Sequence, residues 1–407
     1  MKTRVFKKLL ILLLIYLVGV SAAHAKRPVR LGFVYILSGA FASYGEFARQ
    51  GALMAVDEIN RNGGINGRLV ITWFENSRSR PDIARRAIDH LVTEKQVDCL
   101  IGIDSSKVAK RMAPVAARLK TPLIITNAAT PDVTGNLCNR YVFRVSPNLT
   151  QNIHVAATLA ARSGARTWTT VGKKHTFSYQ SWEYFRKYLQ TGHAAIKTLS
   201  DEQVVFIPSR TKDFTPYLEK VLKSGADGIL VTLWGGYLKR FVRQAGSLGL
   251  FDGRRRVLLT MGASVDTLGD LGAGMPDNLW VGAPYWFLAN GSALNRKFVY
   301  NYRTRYKTYP THQAHGAYGA VYAFKAAAEK AGSTDKEAVV TALEGLTVEL
   351  PGGTVTFRSE DHQGVLDLWW GRTFNDPAYP MKILNPLERF NGRDITRPPS
   401  ETGCRLK

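Results

Sequence analysis

The chain is poor in cysteine and short of acid. It has three Cys in 407 residues, and 32 Asp and Glu against 55 Lys and Arg. Three thiols make no disulfide framework, and Cys99, Cys138 and Cys404 lack the spacing of a metal site. Cys99 lies in the apolar run 97–103 and reads as a buried free thiol. Cys138 sits in a turn and Cys404 in the tail. An oxidising compartment would permit that pair to bridge, but spacing alone leaves the question open.

Catalytic signatures are missing too. No phosphate loop and no nucleophile elbow occurs, and Gly272-x-Gly274 lacks a strand–turn–helix context. His312 and His315 have no clustered third ligand, so packing or surface roles are favoured over metal. Asn148-Leu149-Thr150 and Asn290-Gly291-Ser292 read as turn and cap residues rather than glycan acceptors. No cofactor is expected, and a secreted enzyme is the weakest of the functional readings.

Only one long apolar run is present, at residues 9–20. Lys2, Arg4, Lys7 and Lys8 precede it, and Ala23-His24-Ala25 follows. That is the order of a secretory signal peptide, cut between Ala25 and Lys26. The run is about a dozen residues, short of the ~20 that span a bilayer. The formal charge is +23. The leader holds four cations and no acid, so +19 remains. The basic residues are scattered; Arg254-Arg255-Arg256 is the one tight run and reads as a solvated loop. Nucleic acid is not expected as the partner of a secreted chain.

What remains is a regular alternation. Extended segments are expected at 29–36, 69–74, 99–103 and 123–126, with helices at 44–61, 81–93 and 107–119. Asn62-Gly63-Gly64 ends the first helix and Pro81 opens the second. A second round has extended segments at 167–171, 203–206, 228–233 and 257–260, and helices at 148–162, 182–190, 213–223 and 238–248. A returning strand at 279–284, helices at 295–307, 313–331 and 336–346, and extended pieces at 354–357 and 366–370 complete it. Such alternation makes parallel sheets covered on both faces. The fold class is α/β, with two doubly wound parallel-sheet lobes joined by a multi-strand hinge. The expected division is a signal peptide at 1–25, an N-terminal lobe at 26–146 plus 280–352, a C-terminal lobe at 147–279 plus 353–374, and an irregular tail at 375–407. Ligands of open α/β sheets bind at the carboxyl ends of the strands, which points to the cleft between the lobes.

Three stretches in order carry a resemblance: 38–45 (Ser-Gly-Ala-Phe-Ala-Ser-Tyr-Gly), 55–60 (Ala-Val-Asp-Glu-Ile-Asn) and 63–68 (Gly-Gly-Ile-Asn-Gly-Arg). Leu100-Ile101-Gly102 with Ser105-Ser106 follows, then 125–131 (Ile-Thr-Asn-Ala-Ala-Thr-Pro), 141–144 (Tyr-Val-Phe-Arg), Lys212-Asp213-Phe214, Arg243-Gln244-Ala245 and Asp361-His362-Gln363. Together these resemble the branched-chain amino-acid/amide type of periplasmic solute-binding protein of ABC importers, over about residues 30–371. The resemblance implies a type I periplasmic-binding fold (a Venus flytrap), a monomer without enzymatic activity, a small-molecule ligand, and an inner-membrane ABC permease as partner. It places a ligand carboxylate at Ser106, Ala128 and Thr130, with Ser105, Asn127 and Ala129 beside them. Helix N-termini hold anions through unpaired N–H groups, so this is physically sound. It also places Tyr44 and, on the second lobe, Trp234 against the ligand.

Two positions depart from the family pattern. Phe177-Ser178 stands where Tyr-Gly is usual, and Ser264 where amino-acid binders carry an acid for the ligand ammonium. A buried ammonium without a carboxylate is costly, unless Asp104 supplies the charge. With Trp286 as a further candidate, the pocket reads as aromatic-lined and suited to an amide, an aromatic carboxylate or another flat solute. A sensor of the same fold, signalling to a membrane receptor or regulator, is the alternative to transport.

Overall fold

The computed structural model describes residues 27–261 and 264–406; Ala25 and the Lys26 side of the expected cleavage point lie outside that range. Five parallel strands form the first sheet, in the order β2-β1-β3-β4-β5. These are β1 (Val29–Tyr35), β2 (Val70–Asn76), β3 (Cys99–Gly102), β4 (Leu123–Ile125) and β5 (Val142–Arg144). Helices α1 (Ala42–Arg61), α2 (Pro81–Thr93) and α3 (Ser106–Arg118) connect the first four. Their apolar faces close over strands whose side chains are almost wholly buried, such as Leu31, Phe33, Cys99 and Ile101, as expected where helices cover both faces of a parallel sheet. Cys99 is the buried free thiol its context suggested.

The second sheet runs β16-β15-β11-β10-β9-β6-β7, with β8 also on β6. Its parallel part comprises β6 (Thr167–Lys173), β7 (Lys197–Thr198), β8 (Val205–Ile207), β9 (Gly228–Thr232), β10 (Arg256–Leu259) and β11 (Trp280–Ala283). The connecting helices are α4 (Leu149–Arg162), α5 (Thr176–Gly192), α6 (Thr215–Lys223), α7 (Gly235–Ser247) and α8 (Val265–Leu271). Asn148 caps α4 through its side chain, in a capping box with Gln151, the role expected of that sequon.

The chain then returns to the first lobe. Helix α9 (Ala293–Tyr306) packs on α1, as does α10 (His312–Ala331), and α11 (Lys336–Leu343) packs on α10. An ideal Cβ on Gly51 of α1 would stand 2.0 Å from the carbonyl oxygen of Ala314 on α10, so this glycine is what lets the two helices touch.

Three parts of the expected division are corrected. The expected division assigns β11 to the first lobe, but it pairs with β10 and β15 in the second sheet, so the return crossing follows it. The same division assigns residues 353–365 to the second lobe. They form β13 (Gly353–Phe357) and β14 (Gly364–Val365), which build a small antiparallel sheet with β12 (Thr347–Leu350). Phe357 of that sheet packs edge-on against Phe143 of β5. The tail is not irregular. β15 (Leu368–Phe374) pairs antiparallel with β16 (Ile383–Phe390), which covers the edge of the second sheet; a short helix, α12 (Gly392–Ile395), follows. The tail ends at a disulfide between Cys404 and Cys138, with Cα atoms 5.5 Å apart, which ties it back to the first lobe.

Chain crosses between the sheets at residues 145–148, 284–292 and 366–367. Gln363 joins two of these. Its Oε1 accepts from Asn148 and from Thr134, and its Nε2 donates to Gln151. A buried amide with partners on both oxygen and nitrogen makes a stiff junction. Among the described residues no helix is long and apolar enough to cross a membrane.

Candidate functional site

The carboxyl ends of both sheets face a shared cleft of ≈ 250 Å³. On the first-lobe side, the end of β1, the start of α1 and the turns after β3 and β4 supply its wall. Ile103 follows β3 with φ +69°, 1% exposed. A β-branched residue rarely adopts that region, and such strain collects at functional sites. The turn delivers Asp104 to the cleft. One Asp104 oxygen accepts from the Ile36 amide at 2.9 Å and the other from Asn127 Nδ2 at 3.4 Å. Burial pushes the carboxyl up to about 6 against the pull of those bonds.

Ser105 and Ser106 follow at the start of α3 and line the cleft with Asn127 and Ala129. Ser105 is the N-cap residue, but its side chain makes no cap bond, so the first-turn N–H groups of α3 keep their partial positive charge at the cleft. The Ser106 hydroxyl accepts from the Thr130 amide at 3.2 Å.

Ala128 and Thr130 are not in the wall. Ala128 is fully buried and Thr130 is 2% exposed. Their carbonyl oxygens accept from the guanidinium of Arg144, itself wholly buried. The Thr130 side chain caps the short turn that follows by accepting from the Asp132 amide. The loop's polar groups are thus turned inward, and only Ala129 between them reaches the cleft. Burial lowers the Arg144 pKa to about 9. The guanidinium forms no ion pair among the described residues; nearby Asp132, which opposes that lowering, is paired with Lys110.

Aromatic rings close both sides. Phe41 and Tyr44 come from the start of α1, Phe177 and Trp234 from the second lobe. Phe177 meets Trp234 edge-on, with centroids 5.2 Å apart. Tyr44 spans the gap: an ideal Cβ on Gly235, at the start of α7, would lie 3.0 Å from its hydroxyl. Burial, then Asp266 and Asp104, raise the Tyr44 pKa, so the phenol stays a donor. Ser264 also lines the cleft, but its hydroxyl donates to Thr267 Oγ1. Trp286 does not reach the site. It is 1% exposed and packs against Phe287 in the core. Tyr285 likewise packs, stacked on His315.

Several lining residues escaped the sequence reading: Ile36, Phe41, Ser79, Lys173, His175, Met261 and His312. Helix α5 was expected to begin at Trp182 and begins at Thr176. His175 therefore holds at the start of α5 the N-cap place that Ser105 holds at the start of α3, and Lys173 ends the strand before it. The signal was there in Lys173-Lys174-His175 at a strand end. His175 caps α5, its Nδ1 accepting from the Phe177 amide at 3.2 Å. Burial and Lys173 lower its pKa. An accepting Nδ1 puts the proton of the neutral ring on Nε2. The Ser178 hydroxyl, standing beside the replaced tyrosine, accepts from the Lys173 amide and donates to the Thr232 carbonyl, so it stitches β6 to β9. His312 forms part of the floor, and its Nδ1 is buried without a protein partner. No metal-binding cluster occurs among the described residues.

Two α/β lobes, crossed three times by the chain and facing one another over a small cleft, define a type I periplasmic-binding fold, the Venus flytrap. The family model described as periplasmic binding protein matches residues 28–376, and the chain belongs to that family. It is 24% identical over 362 residues to Leu/Ile/Val-binding protein homolog 4 of Brucella abortus (strain 2308), covering 85% of this chain and 84% of that one. An amino acid ABC transporter substrate-binding protein from Pseudomonas fluorescens Pf-5 superposes with TM-score 0.83 at 22% identity, covering 94% of this chain and all of that one. A solute binding protein of an ABC transporter from Rhodopseudomonas palustris BisB5, in complex with 3,4-dihydroxybenzoic acid, superposes with TM-score 0.79 at 20% identity, covering 90% and 98%.

Proposed function

We propose that the protein is the periplasmic solute-capturing component of an ABC importer. It holds a small carboxylate with a flat, aromatic-compatible body between its lobes and delivers it to a membrane permease. The observation that carries this reading is the pairing of two surfaces in one cleft. The uncapped start of α3 at Ser105 and Ser106 offers N–H groups to an acid, and Phe41, Tyr44, Phe177 and Trp234 offer ring faces and edges to a planar body. The dihydroxybenzoic acid in the Rhodopseudomonas neighbour agrees with that chemistry. The place for an ammonium partner holds Ser264, whose hydroxyl is already engaged, and the carboxyl that does line the cleft, Asp104, is already held by Ile36 and Asn127 and pushed up to about 6 by burial, which together weigh against leucine-like ligands. Capture follows from closure: solute docked on one lobe gains contacts from the other and shifts the open–closed equilibrium.

The test is a thermal-shift and calorimetric comparison of 4-hydroxybenzoate, 3,4-dihydroxybenzoate and leucine, with small-angle scattering on the bound form. Aromatic acid at a hundredfold excess over Kd should stabilise by about 2.7 kcal/mol and compact the molecule. Trp234→Ala should weaken binding about tenfold or more, the effect of losing a buried aromatic contact. Stabilisation by leucine but by neither aromatic acid would overturn the reading.

A further inference from the structure

Lys173 is a cation without an anion. It ends β6 and lines the cleft from the second lobe. No carboxylate among the described residues pairs with it, although other cations of that lobe do pair, such as Lys239 with Asp270. Its ammonium is held instead between two rings, 4.9 Å from the centroid of Tyr237 and 5.8 Å from that of Trp234. Cation–π contact positions a charge and leaves it uncancelled.

The surroundings strengthen the same sign. Helix α7 starts at this wall, and its N-cap residue, Trp234, gives no side-chain cap. His175, the nearest titratable neighbour in the cleft, is neutral and has its Nε2 proton to donate. The acid that lines the cleft is Asp104, on the opposite lobe and already hydrogen-bonded to Ile36 and Asn127. Asp266, in α8, acts on Tyr44 from behind the wall but is not part of the lining. His312 on the floor is held neutral, its pKa pushed down to about 4 by burial. Lys173 is therefore the unpaired charge of the second-lobe wall, and it faces the uncapped start of α3 across the cleft.

We propose that Lys173, with His175 beside it, forms a second anion subsite, and that the solute is a two-ended acid. One acidic group docks at Ser105 and Ser106 and the other at Lys173, with the planar body between the rings. This rests on the aromatic-acid reading and deepens it. The second acid is also what couples capture to closure, because only the closed cleft brings both anchors to one solute.

Benzoate and benzene-1,4-dicarboxylate are the probes, which differ by one carboxylate. Calorimetry is run on the whole protein and on Lys173→Met and Lys173→Arg. Methionine keeps the stem against Trp234 and Tyr237, and an unchanged melting temperature without solute confirms that the fold is kept. The dicarboxylate should bind the unaltered protein about tenfold or more tightly than benzoate, the effect of one charge-assisted bond. Lys173→Met should weaken the dicarboxylate about tenfold more than it weakens benzoate and so remove that difference, while Lys173→Arg keeps most of it. A dicarboxylate preference that persists in Lys173→Met overturns the subsite and leaves the aromatic-acid reading standing. So does equal weakening of both probes, which would put the sole carboxylate at Lys173. Binding of neither probe to the unaltered protein overturns both.

Discussion

Acid should loosen this protein, and His315 makes the effect calculable. The ring is 7% exposed and stacks on Tyr285 at 4.3 Å. Its Nε2 accepts from the Gly352 amide at 3.0 Å. Burial, then the neighbouring His312, hold its pKa down to about 3, against 6.5 for a free histidine. Between those values the unfolded chain binds a proton that the folded one refuses, so falling pH favours unfolding. The contribution is complete above pH 6.5 and is lost as pH falls toward 3. From pH 7 to 5 it amounts to about 2 kcal/mol. His312, pushed down to about 4, acts in the same direction. Asp104 opposes them. Its folded carboxyl, raised to about 6, takes up a proton over that range and returns about 1 kcal/mol. The assay is urea unfolding at pH 7 and pH 5 for the protein and for His315→Gln, whose amide oxygen still accepts from Gly352 but does not titrate. The unaltered protein should lose about 2 kcal/mol more than the variant. Equal losses would refute a neutral, buried His315.

Two further outcomes follow from the packing. Gly51→Ala should destabilise by about 2 kcal/mol in thermal unfolding, because a Cβ there would meet the Ala314 carbonyl and the resulting strain exceeds the ~1 kcal/mol of helix propensity gained; a stabilised variant would show that α1 and α10 separate freely. Cys404→Ser releases the tail from the first lobe by opening a link across 266 residues. It should cost about 2–4 kcal/mol in denaturant titration under non-reducing conditions, and an unmoved midpoint would mean the tail is held by β16 alone.

Much of the first lobe was legible in the sequence because its signals are local. Pro81 opens α2 where Pro fits, and the four residues of β3 from Cys99 to Gly102 carry no polar side chain because a central parallel strand is buried on both faces. The cluster Asp104-Ser105-Ser106 was legible for the same reason: strand end, then helix start, in adjacent residues. The opposite wall was not. Shifting the start of α5 by six residues hid Lys173 and His175, since Phe177 to Ser181 show no clear apolar period before Trp182. Ala128 and Thr130 failed for a different reason. Their carbonyls turn inward to Arg144, a partner on a strand more than a dozen residues further along, and no local pattern announces it.

The sequence by itself determined the alternation of strands and helices, the two-lobed class and the strand-to-helix turn at Asp104-Ser105-Ser106, all of which depend on hydrophobic period and on residues next to one another. Tertiary structure alone decided the rest. Whether a short apolar segment joins one sheet or another depends on which edge is open, so β11, β13 and β16 could be assigned only once the ladders formed. The pairing of Cys138 with Cys404 needed their Cα atoms brought to 5.5 Å. And a lysine is one cation among 55 Lys and Arg until folding sets it between Trp234 and Tyr237, at the edge of the cleft, with no carboxylate to answer it.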